Sequence, residues 1–323
     1  MKGLKKIALV VAIAAAPFAA NAELQAMNDT AMGDVTGQAG VTIELETKVS
    51  IGQFKYTDTG SGRTGGGSFA VNDIVLGGAG VTTQGQELDA TTSEVTNGLL
   101  DQLKIDIDVA DDGDAIIHVA SMETQKVPNP YHDPSDPSTG PAEVDAPKPI
   151  DWGITVGSME LQAGGNGNDS TTLISDLSGY GNLARLDIQV DTATDHLNLV
   201  AAFDVQDMDF DVAFLGIGIR DLQITGAGSG ASDLAFYVEN GEDLSAMSPQ
   251  EQAIFTRYAN ANLDVYKGSG LGDSNATDVL RIDINNIYLD MTIGAVEIGG
   301  ASIGSLAIDN LAVTNTKLAV YGH

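Results

Sequence analysis

Hydrophobic and polar positions alternate with a period of two along most of this chain. Leu103, Ile105, Ile107 and Val109 fall on one parity, and Lys104, Asp106 and Asp108 on the other. A strand with one buried face has this pattern. Val41–Val49, Leu186–Val190 and Leu197–Phe203 repeat it, separated by Gly- and Asp-rich breaks. Asp111-Asp112-Gly113-Asp114 stands between two such runs and predicts a hairpin turn. Helical periodicity is scarce. Ser248-Pro249-Gln250-Glu251 joins an N-cap serine, a proline at the first helical position and a capping-box glutamate. Ile254, Phe255 and Tyr258 follow at helical spacing, which predicts a peripheral helix over about 249–262. A shorter helix is expected around Ser93–Leu103. The expected fold is all-β, with bent or solenoid-like sheets built from short repeated strand pairs.

A recurring motif refines that picture: apolar-x-apolar, two polar residues, apolar-x-apolar. It occurs at Phe69–Leu76, Phe203–Phe210, Ile217–Ile224, Ile282–Leu289 and Leu306–Val313. The second polar residue is always Asp or Asn: Asp73, Asp207, Asp221, Asn286 and Asn310. Two polar residues between the apolar pairs shift the pleat by one. An uninterrupted strand cannot do this without turning its apolar set to the other face. The motif therefore predicts a bulge or corner at each copy. Asp and Asn suit the position because they tolerate left-handed backbone better than other non-glycine residues. The last copy carries the rhythm on through Thr316 and Leu318, which favours a bent sheet or solenoid over a flat sandwich.

Seven of the nine prolines fall within Lys126–Ile150, a density that predicts an extended surface excursion instead of a ladder. The β pattern is alike on both sides, so residues 41–323 are expected to form one β body.

The N-terminus changes the setting. Lys2, Lys5 and Lys6 precede an apolar stretch, Ile7–Phe18, and Ala20-Asn21-Ala22 offers a small-x-small cleavage site before Glu23. Residues 1–22 are expected to be a Sec-type signal peptide, which directs the protein to the periplasm, outer-membrane surface or exterior of a Gram-negative cell. No later stretch has the ~18 consecutive apolar residues of a spanning helix. Eight Phe, eight Tyr and one Trp are few for the two aromatic girdles of an outer-membrane barrel. Removing residues 1–22 takes three lysines and no acid, so the formal charge moves from -30 to -33. Such a chain is a poor partner for nucleic acid and attracts cations. With no cysteine, stability must come from packing or bound ions.

Chemistry-bearing motifs are weak. Gly300-Ala301-Ser302-Ile303-Gly304, with Asp309 and His323 after it, has the order of a nucleophile elbow and its partners. The alternation beyond it predicts a strand where the elbow needs a helix, so a glycine-lined β turn is expected and no catalytic residue is assigned. His118, His132, His196 and His323 show no zinc spacing. Calcium is the one cofactor considered. Gly164, Gly165, Gly167 and Asp169 match the opening of a calcium nonapeptide repeat, although Thr171 stands where a large aliphatic belongs.

Between the signal peptide and the β body lies Glu23–Gly40. Met27, Met32, Val35 and Gly37 have the spacing of a double-glycine leader cut after Gln38, a substrate for a C39-type peptidase. The competing expectation is a short amphipathic helix that keeps Glu23, exposed after Ala22, as its N-terminus. Glu23-Leu24-Gln25-Ala26-Met27 and Val35–Leu45 resemble the mature start of FilA-type proteins, assigned to a pilus system of gamma-proteobacteria. Ile303-Gly304-Ser305-Leu306, Thr314-Asn315-Thr316 and the closing Tyr321-Gly322-His323 resemble the same family. The resemblance implies surface assembly, other pilus-system proteins as partners, and a C39-like peptidase in the same system. The expected function is a structural or accessory component of a cell-surface or pilus-like assembly, not an enzyme. The alternative is a periplasmic carrier holding an apolar ligand between β sheets.

Overall fold

A computed structural model describes residues 40–58, 66–79, 98–129, 132–137, 140–164, 169–227 and 234–322. Fourteen strands lie among them: β1 (Val41–Thr47), β2 (Val49–Thr57), β3 (Ser68–Gly77), β4 (Leu100–Val109), β5 (Ala115–Ser121), β6 (Thr124–Pro128), β7 (Glu143–Pro147), β8 (Ile150–Gln162), β9 (Ser170–Asp191), β10 (His196–Val212), β11 (Ile217–Thr225), β12 (Ala259–Gly268), β13 (Val279–Ile298) and β14 (Ala301–Val320). Two α-helices accompany them, α1 (Leu234–Glu239) and α2 (Pro249–Arg257). The fold is all-β. Twelve strands form one sheet in which every pairing is antiparallel, and β6 and β7 form a separate ribbon. Residues from Gly40 onward make one compact unit.

The sheet is two tiers of strands on a shared spine. β9 pairs with β10 over Ser175–Asp191, while its other side takes β8 at Ser170–Leu183 and β5 at Leu186–Val190. β10 takes β12 at His196–Phe203 and β11 at Val205–Val212. β13 takes the same two strands, and its other side pairs with β14. The long spine strands run 17 to 22 residues, against a usual length of ~5–6.

Corners let strands that long keep their apolar side chains on one face. Asp73, Asp221 and Asn310 have φ of 54°, 53° and 56°, as the motif predicts. Asp176 and Asn315 add two more, at 54° and 52°. The neighbouring strand makes room with glycine. A Cβ on Gly157 would stand 3.1 Å from the Asp73 Cβ, and one on Gly294 only 2.8 Å from the Asp221 Cβ. Backbone donors turned out of the ladder find carboxylates. The Asp221 N–H donates to Asp209 Oδ1 at 2.8 Å, and the Asn310 N–H to Asp290 Oδ1 at 2.6 Å. Asp207 and Asn286 are not left-handed. There the phase slips by register shifts, between Val205 and Asp207 against β9, and between Asn262 and Leu263 against β12.

Three other expectations need correction. The proline-dense stretch contains the β6–β7 ribbon, with Pro128 and Pro147 at strand ends where a missing N–H costs least. Val144 of the ribbon packs against Ala253 and Ile254 of α2. The helix from Pro249 keeps its complete capping box but ends at Arg257, and Ala259 already belongs to β12. Leu100–Leu103 is strand, so no helix spans Ser93–Leu103; residues 93–97 lie outside the described residues. α1, not foreseen, seals an aromatic cluster of Phe236, Tyr237, Phe255 and Tyr288 with ring centroids 5.0–6.2 Å apart.

Candidate functional site: two open sheet edges

Two pairing rows that cross the full width of the sheet let its boundaries be followed. In the upper tier Val41 pairs with Ile107, and the row continues through Ile117, Ile188, Leu199, Leu263 and Ile284 to Thr316. In the lower tier Gln53 pairs with Asn72, and the row continues through Ser158, Ser175, Asp211, Gly218 and Glu297 to Ser302. Both rows cross eight strands. They start on β1 and β2, which follow one another in the chain, and they end on β14. Among the described residues nothing pairs with the outer side of β1, β2 or β14.

These edges carry some of the usual safeguards, lysines and register shifts in β1 and β14, but no covering element among the described residues. Natural edge strands are blunted by shortness, proline, charge or a covering element. Val41–Thr57 and β14 contain no proline. Every residue of β2 is exposed, as are the first seven of β14. Large apolar side chains are among them: Phe54 is 56% exposed, Tyr56 63%, Ile303 63% and Val320 52%. Charge is balanced on each edge. Glu44 and Glu46 are matched by Lys48 and Lys55, and Asp309 by Lys317, in a chain of net charge -30.

Polar chemistry lies on the spine and the opposite face. Asp207, Asp209 and Asp221 bring carboxylate oxygens within 4.8 Å of one another, a set that could hold a hard cation. Asp207 Oδ1 is buried without a hydrogen-bond partner. Burial, then repulsion from Asp209 and Asp221, raises the Asp207 carboxyl above its ordinary value. In the sequence motif Asp207 and Asp221 stand as corner residues only. Their meeting depends on β10 and β11 pairing, which spacing along the chain does not reveal. On the same face as the helices, Asp187 is flanked by His118 Nδ1 and Arg185 Nε. Burial opposes ionisation of Asp187, but the hydrogen bond from His118 and the charge of Arg185 outweigh it and hold the carboxyl low. His196 stacks on Tyr266 at 4.1 Å. His118 and His196 thus serve as strand residues.

Gly164 and Asp169 are exposed and flank the β8–β9 connection, closed by the Ala163 N–H to the Asp169 carbonyl at 2.9 Å. Gly165 and Gly167 lie outside the described residues, as do the processing positions Ala22, Glu23, Met27, Met32, Val35, Gly37 and Gln38. Neither Gly164 nor Asp169 belongs to the acidic cluster. Ser302 sits in β14, just beyond the turn at Gly299 and Gly300, whose φ values are 60° and 78°. That is the expected glycine-lined β turn, with strand where an elbow would need helix.

No helix among the described residues is long and apolar enough to cross a membrane. No curated protein and no solved structure matches the chain. Residues 1–111 match the model of a family described as "Family of unknown function (DUF6160)", and the matched stretch takes in the whole β1–β2 edge.

Proposed function

We propose that this protein is a structural component of a bacterial cell-surface or pilus-like assembly. The observation that carries the reading is the pair of long, charge-balanced, uncovered sheet edges. A strand edge with unpaired N–H and C=O groups is a template for another strand. Two of them left open invite association. The export signal read at Met1–Ala22 and the family resemblance at both ends support a location outside the inner membrane. Antibody labelling of intact native-host cells, with intact-mass analysis of the labelled material, tests the reading. Labelled surface clusters or fibres containing a chain that starts at Glu23 or later are expected. A full-length chain confined to the cytoplasm or inner membrane would overturn it.

One observation favours a second reading, a periplasmic carrier of apolar ligands. The upper-tier row from Ile107 to Ile284 is aliphatic on six successive strands and only half-buried, on the face opposite the helices. Lipid extraction of protein from the native host separates the two. A dispersed monomer carrying stoichiometric lipid is the result that favours the carrier.

A further inference from the structure

We infer that the partner of each edge is the opposite edge of a second copy: β14 of one molecule pairs antiparallel with β1–β2 of the next, and the sheet continues from copy to copy. The inference deepens the assembly reading and rests on it for its biological setting, but its geometry comes from the sheet alone.

Strand sense comes first. Every pairing is antiparallel, so direction alternates across the sheet. Eight strands separate the two boundaries in each tier, so β1 and β2 run opposite to β14. A copy moved sideways by the width of the sheet therefore presents β14 antiparallel to β1–β2, the sense that matches every existing pair. Had the sheet been seven strands wide, the same move would have given a parallel contact.

Extent comes second. The rows of Val41 and Gln53 end at Thr316 and Ser302, so the two edges overlap over that stretch in both tiers. Val41–Gln53, broken only at Lys48, can thus be met by Ser302–Thr316, while the rows of Phe54–Thr57 stop at β9 and those of Lys317–Val320 stop short of β1.

Charge comes third. Self-repulsion within and between chains of charge -30 opposes association. Within the facing stretch each edge carries only one net negative charge, from Glu44, Glu46 and Lys48 on one side and Asp309 on the other, so little of that repulsion acts across the contact itself. Salt should strengthen the contact by screening what remains.

The contact joins two different surfaces and does not close on itself, so it generates an open filament instead of a dimer. That property supplies the test. In the full chain, Ile51→Glu with Phe54→Glu should block the first edge, and Ile303→Glu with Leu306→Glu the second. Wild type should form filaments whose length grows with protein and NaCl concentration. Each double variant alone should stay monomeric, while an equimolar mixture should stop at a 1:1 dimer through the one intact edge of each. Circular dichroism controls for folding. If the variants fail to fold, hydrogen exchange on the unaltered chain still decides. Assembly should slow exchange within Val41–Thr57 and Ala301–Val320 and leave the spine strands unchanged.

Several outcomes would overturn the inference: wild type monomeric at every salt and concentration, either blocked variant still self-associating, or new protection appearing elsewhere. The assembly reading fails separately. Edge-dependent filaments from a chain never found outside the inner membrane would refute the surface role alone. Surface clusters that persist in cells carrying both blocked variants would refute the edge contact alone.

Discussion

Replacing Asp221 or Asn310 by valine puts a β-branched side chain at φ of 53° or 56°, where such residues are strongly disfavoured. Each should cost on the order of 1–2 kcal/mol in urea unfolding. Glycine at the same positions should cost far less. Asn286→Val should lack this strain, because the phase slips there by register shift. Asp207 obeys a different rule. Its folded pKa is raised, first by burial and then by Asp209 and Asp221. The stability linked to its proton is therefore fully present below the unfolded value of ~3.9 and lost as pH rises through the folded value. Asp207→Asn should raise the melting temperature at pH 7, and the gain should vanish below about pH 4. No gain at pH 7 would mean that the carboxylate is satisfied in solution. Three of the five corners were legible in the sequence because Asp or Asn sat between intact apolar pairs. Asp176 was not, since Thr172 and Gly179 stand where its flanking apolar residues should be. Asn315 lies in the five-residue extension, where Thr316 takes an apolar place.

Among the elements, α2 began where its cap said it would. The Ser248 hydroxyl accepts from the Glu251 N–H at 3.3 Å, and Glu251 Oε2 accepts from the Ser248 N–H at 2.8 Å. Ser248→Ala should cost about 1 kcal/mol. The Ser248 backbone N–H, which alanine keeps, and then its hydroxyl hold the Glu251 carboxyl below its ordinary range, so only the hydroxyl's share of the loss is present at neutral pH and fades as pH falls through the lowered folded value. A pH-independent effect would point to helix propensity instead. The end of α2 was not legible. Tyr258 continues the helical spacing, yet its ring is buried against Ala184 and Ala202 of the sheet. Ala259–Gly268 then finds two strand partners, β10 and β13, and tertiary pairing overrides a local period. The β6–β7 ribbon was missed for a related reason. Proline density excludes a central strand, but a two-stranded ribbon offers ends where Pro128 and Pro147 need donate nothing.

For the whole molecule, period-two alternation was enough to read an all-β body, but not to read its edges. Which strands lie outermost follows from pairing order, and β1, β2 and β14 alternate no differently from the strands within. Charge acts at this scale too. With a formal net charge of -30, the folded chain should melt higher in NaCl than in low salt, through screening of self-repulsion. Assembly should rise over the same range. An unchanged melting temperature from 10 mM to 500 mM NaCl would mean that the carboxylates are locally compensated. The most direct measurement is electron microscopy with helical reconstruction of filaments grown from the full chain. A sheet that continues through β14 and β1–β2 adds eight strands per copy. At about 4.8 Å per strand the axial rise per subunit should be about 38 Å, less any shortening by twist, with strands running across the filament axis. Filaments with strands along the axis, closed rings or dispersed monomers would contradict it.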